Sequence, residues 1–409
     1  MTYAPPPNQP GPQYGQQPTY HSALAQPAYG QPAPIAAPQQ QRFLQLPPVP
    51  SHVHPLWFLG WIGVGLLALL VLITFVLPLM AFGPGSFFIS ATLALIPFAI
   101  VIMTVLWIDN WEPEPKGLIV FALAWGAFAS IGLTTLFLFL FDYLALEVMA
   151  IDPATHDVIA TVVRAPLLEE ACKMVGVFVI ILIARHTIDG PIDGLVYGAL
   201  IGAGFAFTEN IQYFFVYGTS QGLDATLSIF FMRGILSPFA HAMFTGVFGL
   251  LVGLALRNRR NVALYALIGY VAGVALHALW NGSSYVNFLL LYIVLQVPIF
   301  VMFIVGIVLL RKEAATITHR RLGDYATAGW FTAQEVDMLA TPRGRKIGKA
   351  WARTLPGDRS ALMKTFIRDS TQLAMARSRG MSGRDPKAPV AEQQLLVRVL
   401  ATREALLAP

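Results

Sequence analysis

The sequence predicts an all-α, polytopic membrane protein of about eight transmembrane helices, with a disordered N-terminal tail and a soluble helical C-terminal region. Three observations predict it. Hydrophobic residues make up 56% of the 409 residues and charged residues only 12%, whereas a soluble domain carries about 25% charged residues. The apolar residues gather in stretches of about 20, the length that crosses a bilayer. The charge is also divided. Residues 1–310 hold 9 Lys and Arg against 13 Asp and Glu, a net of −4, while residues 311–409 hold 18 against 9, a net of +9. Positive charge behind the last apolar stretch speaks of membrane orientation rather than nucleic acid, and no nucleic-acid partner is expected. A single cysteine, Cys172, excludes an intrachain disulfide and a cysteine-built zinc site.

Residues 1–55 form the tail. The first 50 hold 13 of the 29 prolines and one charged residue, Arg42. Such a segment cannot bury enough apolar surface to offset its ordering entropy. A solvated low-complexity tail is the simplest expectation and an interaction tail the alternative. Neither a basic n-region nor an apolar h-region opens the chain, so no cleaved signal peptide is expected.

Spans follow at 56–82, 86–108, 117–141, 162–184, 191–217, 234–256, 262–281 and 287–310. The first carries no charge, and its Pro78 is tolerated inside a membrane. The odd-numbered loops are uncharged (81–86, 282–286) or acidic (142–161, 218–232). The even-numbered loops hold Lys116, then Arg185, then Arg257, Arg259 and Arg260, and Arg311 and Lys312 follow the eighth span. The positive-inside rule therefore predicts a multi-pass membrane protein with cytoplasmic even loops and both termini cytoplasmic. The third region, 311–409, is basic and rich in Ala, Leu and Arg; Thr332–Leu339 and Val390–Leu407 carry an amphipathic pattern. A small soluble helical appendage is expected there, with a surface for anionic lipid as the alternative.

Ionisable residues deep in a span cost about 2.5–3.5 kcal/mol each on insertion scales, which makes them functional-site candidates. The fourth span carries Glu169, Glu170 and Lys173, the fifth Glu209 and Asn210, the sixth His241, and the seventh His277 and Asn281. Counted from the outer ends of their spans, Glu169, Glu209, His241 and His277 all lie roughly 7–12 Å deep. Four helices placing polar groups at one depth point to a single site near the outer face. Glu169 and Glu170 stand four and three residues from Lys173, so its ammonium reaches either carboxylate. Gly198, Gly202 and Gly204 give the fifth span a surface for close helix approach.

Two adjacent carboxylates in a low-dielectric site cannot readily both carry charge unless Lys173 offsets them. A carboxylate so placed can take a proton from water and return it later. Glu209, His241 and His277 can either stabilise an oxyanion or hold a metal with an open position for water, zinc being the first candidate. Either arrangement hydrolyses an amide or ester inside the membrane, and the residues leave both open. No H-E-x-x-H motif is present, no intramembrane Gly-x-Ser-Gly context appears, and the Gly323-Asp324 pair lies in the polar C-terminal region.

The set Glu169-Glu170-x-x-Lys173, Phe205-x-x-x-Glu209-Asn210, His241 with Phe244-Thr245, and His277-x-x-Trp280-Asn281 resembles the PrsW family of bacterial intramembrane proteases. The acidic, proline-spaced loop Asp109-x-x-Glu112-Pro113-Glu114-Pro115 is similar to one in that family. The wider group of CAAX prenyl endopeptidases and abortive-infection proteins shows Arg and His where this chain has Lys173 and Glu209, which favours the PrsW branch and argues against a prenylated substrate. The resemblance covers roughly residues 105–285. It implies an intramembrane endopeptidase cleaving a membrane-anchored protein near its outer side, of the anti-sigma-factor kind. Glu169 and Glu170 would serve as general base, with Lys173, Asn210 and Asn281 in support. The rival classes are a transporter using the buried charges as a proton or ion relay, and a non-catalytic scaffold acting through its two tails.

Overall fold

The computed structural model describes residues 58–144, 152–184, 188, 190–383 and 387–408. The expected N-terminal tail (1–55) and Arg185 lie outside the described residues. The described residues contain helices and no strand, as the composition predicted. Two compact units divide the chain, one ending at Glu313 and the other running from Ala314 to the C-terminus.

The first unit opens with α1 (Phe58–Phe82), α2 (Pro84–Asp109) and α3 (Lys116–Tyr143), the last interrupted by a π turn at Trp125–Ser130. A short helix, Pro153–Ile159, is capped by Asp152, whose carboxylate accepts the Thr155 amide at 3.0 Å. It runs through a second π turn, Ala160–Arg164, into α4 (Ala165–Ala184). Then come α5 (Pro191–Ser220), α6 (Leu223–Phe230) with a π turn at Phe231–Leu236, α7 (Ala240–Asn258) and α8 (Val262–Val286). The last, α9 (Phe288–Thr327), has a π turn at Tyr292–Gln296. Among the described residues, six segments are long and apolar enough to cross a membrane: α2, α3, α5, the stretch Leu223–Asn258, α8 and α9. The fourth expected span is not among them, because α4 carries three charges, Glu169, Glu170 and Lys173, within 20 residues. The first falls on α1, which has no charged residue over its 25 residues.

Packing centres on α5. Its Gly194, Gly198 and Gly202 recur every fourth residue and face α7. A Cβ on these glycines would lie 2.0 Å from the Gly249 carbonyl oxygen, 2.4 Å from that of Thr245 and 2.2 Å from that of His241. No other residue allows this approach, and dispersion over the contact replaces a hydrophobic drive that lipid cannot supply. Gly204 does the same toward α3, 2.2 Å from the Leu123 carbonyl oxygen. In α4, Gly176 admits the Trp125 ring, whose Nε1 donates to the Cys172 carbonyl at 3.2 Å. The contacts lock α3, α4, α5 and α7 in register around a core that includes Phe121, Val177, Ile180, Leu200 and Phe248. The outward faces remain apolar, with Leu69, Phe139, Leu182 and Met302 exposed, as helices facing lipid require.

The second unit holds the end of α9 and four helices: α10 (Ala333–Ala340), α11 (Pro342–Thr354), α12 (Ser360–Met381) and α13 (Ala388–Leu407). Thr332 caps α10 by accepting the Glu335 amide at 3.1 Å, and Glu335 reaches back to the Thr332 amide at 2.8 Å, a reciprocal cap that starts the helix one residue after the predicted Thr332. Tyr325, Phe331, Leu339, Met363, Phe366 and Val399 form its core.

Candidate active site

The polar residues expected to converge do so, on α4, α5, α7 and α8. Glu169, Glu170 and Lys173 project from one face of α4 and are buried, as are His241 on α7 and His277 on α8. The Lys173 ammonium lies 2.8 Å from Glu170 Oε1, 3.3 Å from Glu169 Oε2 and 3.1 Å from His241 Nδ1. It also rests 3.7 Å from the centre of the Phe205 ring, a favourable place for a cation with little water around it.

The partners assign both imidazole tautomers. His241 Nε2 lies 2.9 Å from Glu209 Oε2, so Nε2 carries the hydrogen and Nδ1 accepts from Lys173. His277 Nδ1 lies 3.0 Å from Glu170 Oε1, so Nδ1 donates and the Nε2 lone pair faces Glu169 Oε2 at 3.8 Å. The second oxygen of Glu170 accepts the Thr245 hydroxyl at 2.9 Å. Glu170 is therefore bonded on all sides, whereas Glu169 keeps one looser contact and a direct approach to His277.

Glu209 belongs to an adjoining arm. It forms an ion pair with the Arg233 guanidinium, whose Nε donates to Asn210 Oδ1 at 2.7 Å and whose plane lies 4.2 Å from the centre of the Tyr213 ring. Asn281 stands apart, donating to the Thr161 carbonyl at 2.9 Å and tying α8 to the π turn that leads into α4. Three carboxylates and two fixed cations leave a surplus of one negative charge, which one proton would neutralise.

Ligand atoms of Glu169, Glu170, His241 and His277 all lie within 4.8 Å of one another. Two carboxylates and two imidazoles are donors that suit zinc, so the cluster fits a divalent cation by chemistry. Sequence reasoning grouped Glu209, rather than the Glu pair, with the two histidines; in the structure the Arg233 guanidinium engages Glu209.

Arg233 is the residue that sequence reasoning missed. It sits inside the π turn Phe231–Leu236, ahead of where the sixth span was drawn, and its partners lie 23 and 24 residues away. Thr245 carried a readable signal, since it follows His241 by four residues and shares its helix face.

Residues 114–307 match the PrsW family, described as an intramembrane metalloprotease family. The chain is 26% identical over 173 residues to a protease PrsW of Geobacillus kaustophilus, covering 42% of this chain and 69% of that one. A protease PrsW of Shouchella clausii is 28% identical over 110 residues, covering 27% of this chain and 47% of its own length. For that of Clostridioides difficile the values are 26% over 157 residues, 38% and 62%, so the chain spans less than two-thirds of these last two relatives. No solved structure matches.

Proposed function

We propose, from the match of residues 114–307 to the PrsW family, that this chain is an intramembrane endopeptidase acting on a membrane-anchored protein. The convergence of Glu169, Glu170, His241 and His277 within 4.8 Å supports it best, because helices in lipid bury such groups only at a cost that function must offset.

Glu169 is the general base. Its Oε2 and His277 Nε2 are 3.8 Å apart, a separation at which one water can donate to both. As that water's oxygen attacks the scissile carbonyl carbon, Glu169 takes its proton and negative charge develops on the carbonyl oxygen. Lys173, buried and fixed by three partners, supplies positive charge for that oxyanion in a low-dielectric site. Glu169 then passes the proton to the amide nitrogen as the C–N bond breaks. Glu170 positions Lys173 and His277, and Thr245 positions Glu170. Glu209 and Arg233 hold the His241 tautomer. A divalent metal would be held by Glu169, Glu170, His241 and His277 and would supply Lewis-acid polarisation and a more acidic water.

Loop charges support eight spans with both termini cytoplasmic; the depth of the site supports cleavage near the outer face, and the family resemblance a bacterial plasma membrane. The substrate is of the anti-sigma-factor kind, as the family resemblance implies. The test is cleavage of a single-span model substrate by the full-length protein purified in detergent. Glu169→Gln and His241→Ala should each abolish cleavage; if both leave the rate untouched, the reading is wrong. Metal analysis with chelation and zinc add-back decides whether a cation takes part.

A further inference from the structure

A cleft of about 200 Å³ opens between α7, α8 and the start of α9, walled by Met243, Leu276, Leu279, Trp280 and Phe300. Its walls are mostly apolar, and the Ser237 and Tyr292 hydroxyls that also line it donate to the Met232 carbonyl at 2.9 Å and the Leu236 carbonyl at 2.8 Å. Gln296 lines it from the π turn Tyr292–Gln296, and neither its amide nitrogen nor its amide oxygen has a hydrogen-bond partner, although both atoms are shielded from solvent. A buried amide with no partner is destabilising by an amount comparable to one or more hydrogen bonds. In a membrane protein, water does not ordinarily relieve it.

The cleft also leads to the chemistry. Ser237, Pro238, Ala240 and Trp280 line both it and a smaller gap of about 10 Å³, roughly one water's worth of space, whose other walls include His241, Arg233 and Asn210. Phe244 separates the cleft from His277, its ring stacked on the imidazole at 5.0 Å. The Tyr292 hydroxyl donates to the Leu236 carbonyl at 2.8 Å, fastening the turn that bears Gln296 to the turn that bears Arg233.

Resting on the endopeptidase reading, we propose that this cleft receives an apolar side chain next to the scissile bond, while Gln296 hydrogen-bonds the substrate backbone beside it. The chemistry selects this occupant. A membrane-spanning substrate satisfies its backbone internally as a helix, and a peptide bond becomes attackable only where that helix unwinds. Unwinding frees an N–H and a C=O among apolar surroundings. One amide side chain answers both groups, and an apolar wall takes the adjoining side chain. A lipid acyl chain fills such a wall but offers nothing to Gln296.

The experiment uses the full-length protein in detergent with two single-span model substrates, carrying Leu or Ala at the residue flanking the cut. Leu279→Trp, which fills the cleft, should lower kcat/KM about tenfold or more for the Leu substrate and much less for the Ala substrate. Gln296→Leu should lower kcat/KM for both by about tenfold, the worth of one buried hydrogen bond, mainly through KM. In a separate arm, a photo-crosslinking amino acid at position 279 in the Glu169→Gln protein should capture the Leu substrate, and unlabelled substrate should compete. The proposal is overturned if both cleft variants cleave both substrates like the parent, or if the crosslink forms to phosphatidylglycerol alone or to nothing. If neither parent nor Glu169→Gln cleaves anything, the endopeptidase reading fails, and the crosslinking arm still decides the cleft.

Discussion

In the C-terminal unit, Asp369 is buried beside the Arg398 guanidinium at 3.0 Å and Glu392 beside that of Arg377 at 3.3 Å. In the membrane unit, Glu169 and Glu170 share one ammonium, that of Lys173, and one imidazole, that of His277. Both regions take carboxylates out of water, but they complete the charge differently. Guanidinium groups do not exchange protons near neutral pH, so the first arrangement is inert and serves as polar glue between α12 and α13. Imidazole is the side chain that can gain or lose a proton there, and a shared lysine leaves carboxylate charge to spare, so the second arrangement can move protons. What separates a structural cluster from a chemical one is therefore which cation answers the acid, since burial is the same in both.

The widest separation comes from neutralising one acid in each cluster. Glu169→Gln should lower the cleavage rate about 10²–10⁴-fold, the range of a general base, while the protein's thermal unfolding changes little. Asp369→Asn should do the reverse. It breaks the buried Asp369–Arg398 ion pair from one side, at roughly 3–5 kcal/mol of stability in the C-terminal unit, with the rate per folded molecule unaltered. Equal effects of both substitutions on both readouts would erase the distinction.

A smaller effect tests the arm where the two designs meet, because Arg233 is a guanidinium inside the membrane cluster. Arg233→Lys keeps the charge and loses the fork that engages Glu209 and Asn210 together, and the rate should fall about 10–100-fold, the scale seen when groups orienting a site are lost. A double-mutant cycle with Glu209→Gln should be strongly non-additive, since both act through His241. Additive losses would show that Arg233 does not work through Glu209.

The sequence shows one half of this comparison far better than the other. Glu169, Lys173, Glu209, His241 and His277 stand out because charge is scarce in apolar spans, and the i,i+3 and i,i+4 spacings place the α4 residues on one face. Gly198, Gly202 and Gly204 were legible for a similar reason, and α5 uses them for close approach. Arg233 and Gln296 were not legible. Both lie in π turns, where an i→i+5 step shifts the face away from the 3.6-residue pattern; Arg233 acts on groups far away in the chain, and the Gln296 amide has no hydrogen-bond partner among the described residues. In the C-terminal unit the amphipathic pattern over Thr332–Leu339 announced α10. The pairing of Asp369 with Arg398 was hidden among many charges in a polar stretch, where no single residue is conspicuous.

The smallest expected effect concerns a third buried acid, answered by a hydroxyl. Glu114, in the loop between α2 and α3, accepts the Tyr197 hydroxyl at 2.6 Å, and its own amide donates to the Asp109 carboxylate at 3.1 Å. Burial pushes its carboxyl well above the ordinary value of 4.5, with Asp109 and Glu112 adding to the rise and Tyr197 opposing it. A carboxyl raised in the folded state holds its proton more tightly folded than unfolded. Its contribution to stability is therefore full at low pH and is lost as pH climbs from the ordinary value through the raised one. Glu114→Gln keeps an acceptor for Tyr197 and removes the titration. As pH rises from 4.5 through the raised value, where this linkage operates, the unfolding midpoint of the parent should fall relative to that of Glu114→Gln. A constant gap between the two proteins would mean that Glu114 carries its charge in the folded state as readily as in the unfolded chain, and that a hydroxyl can stand in for a cation beside a buried acid.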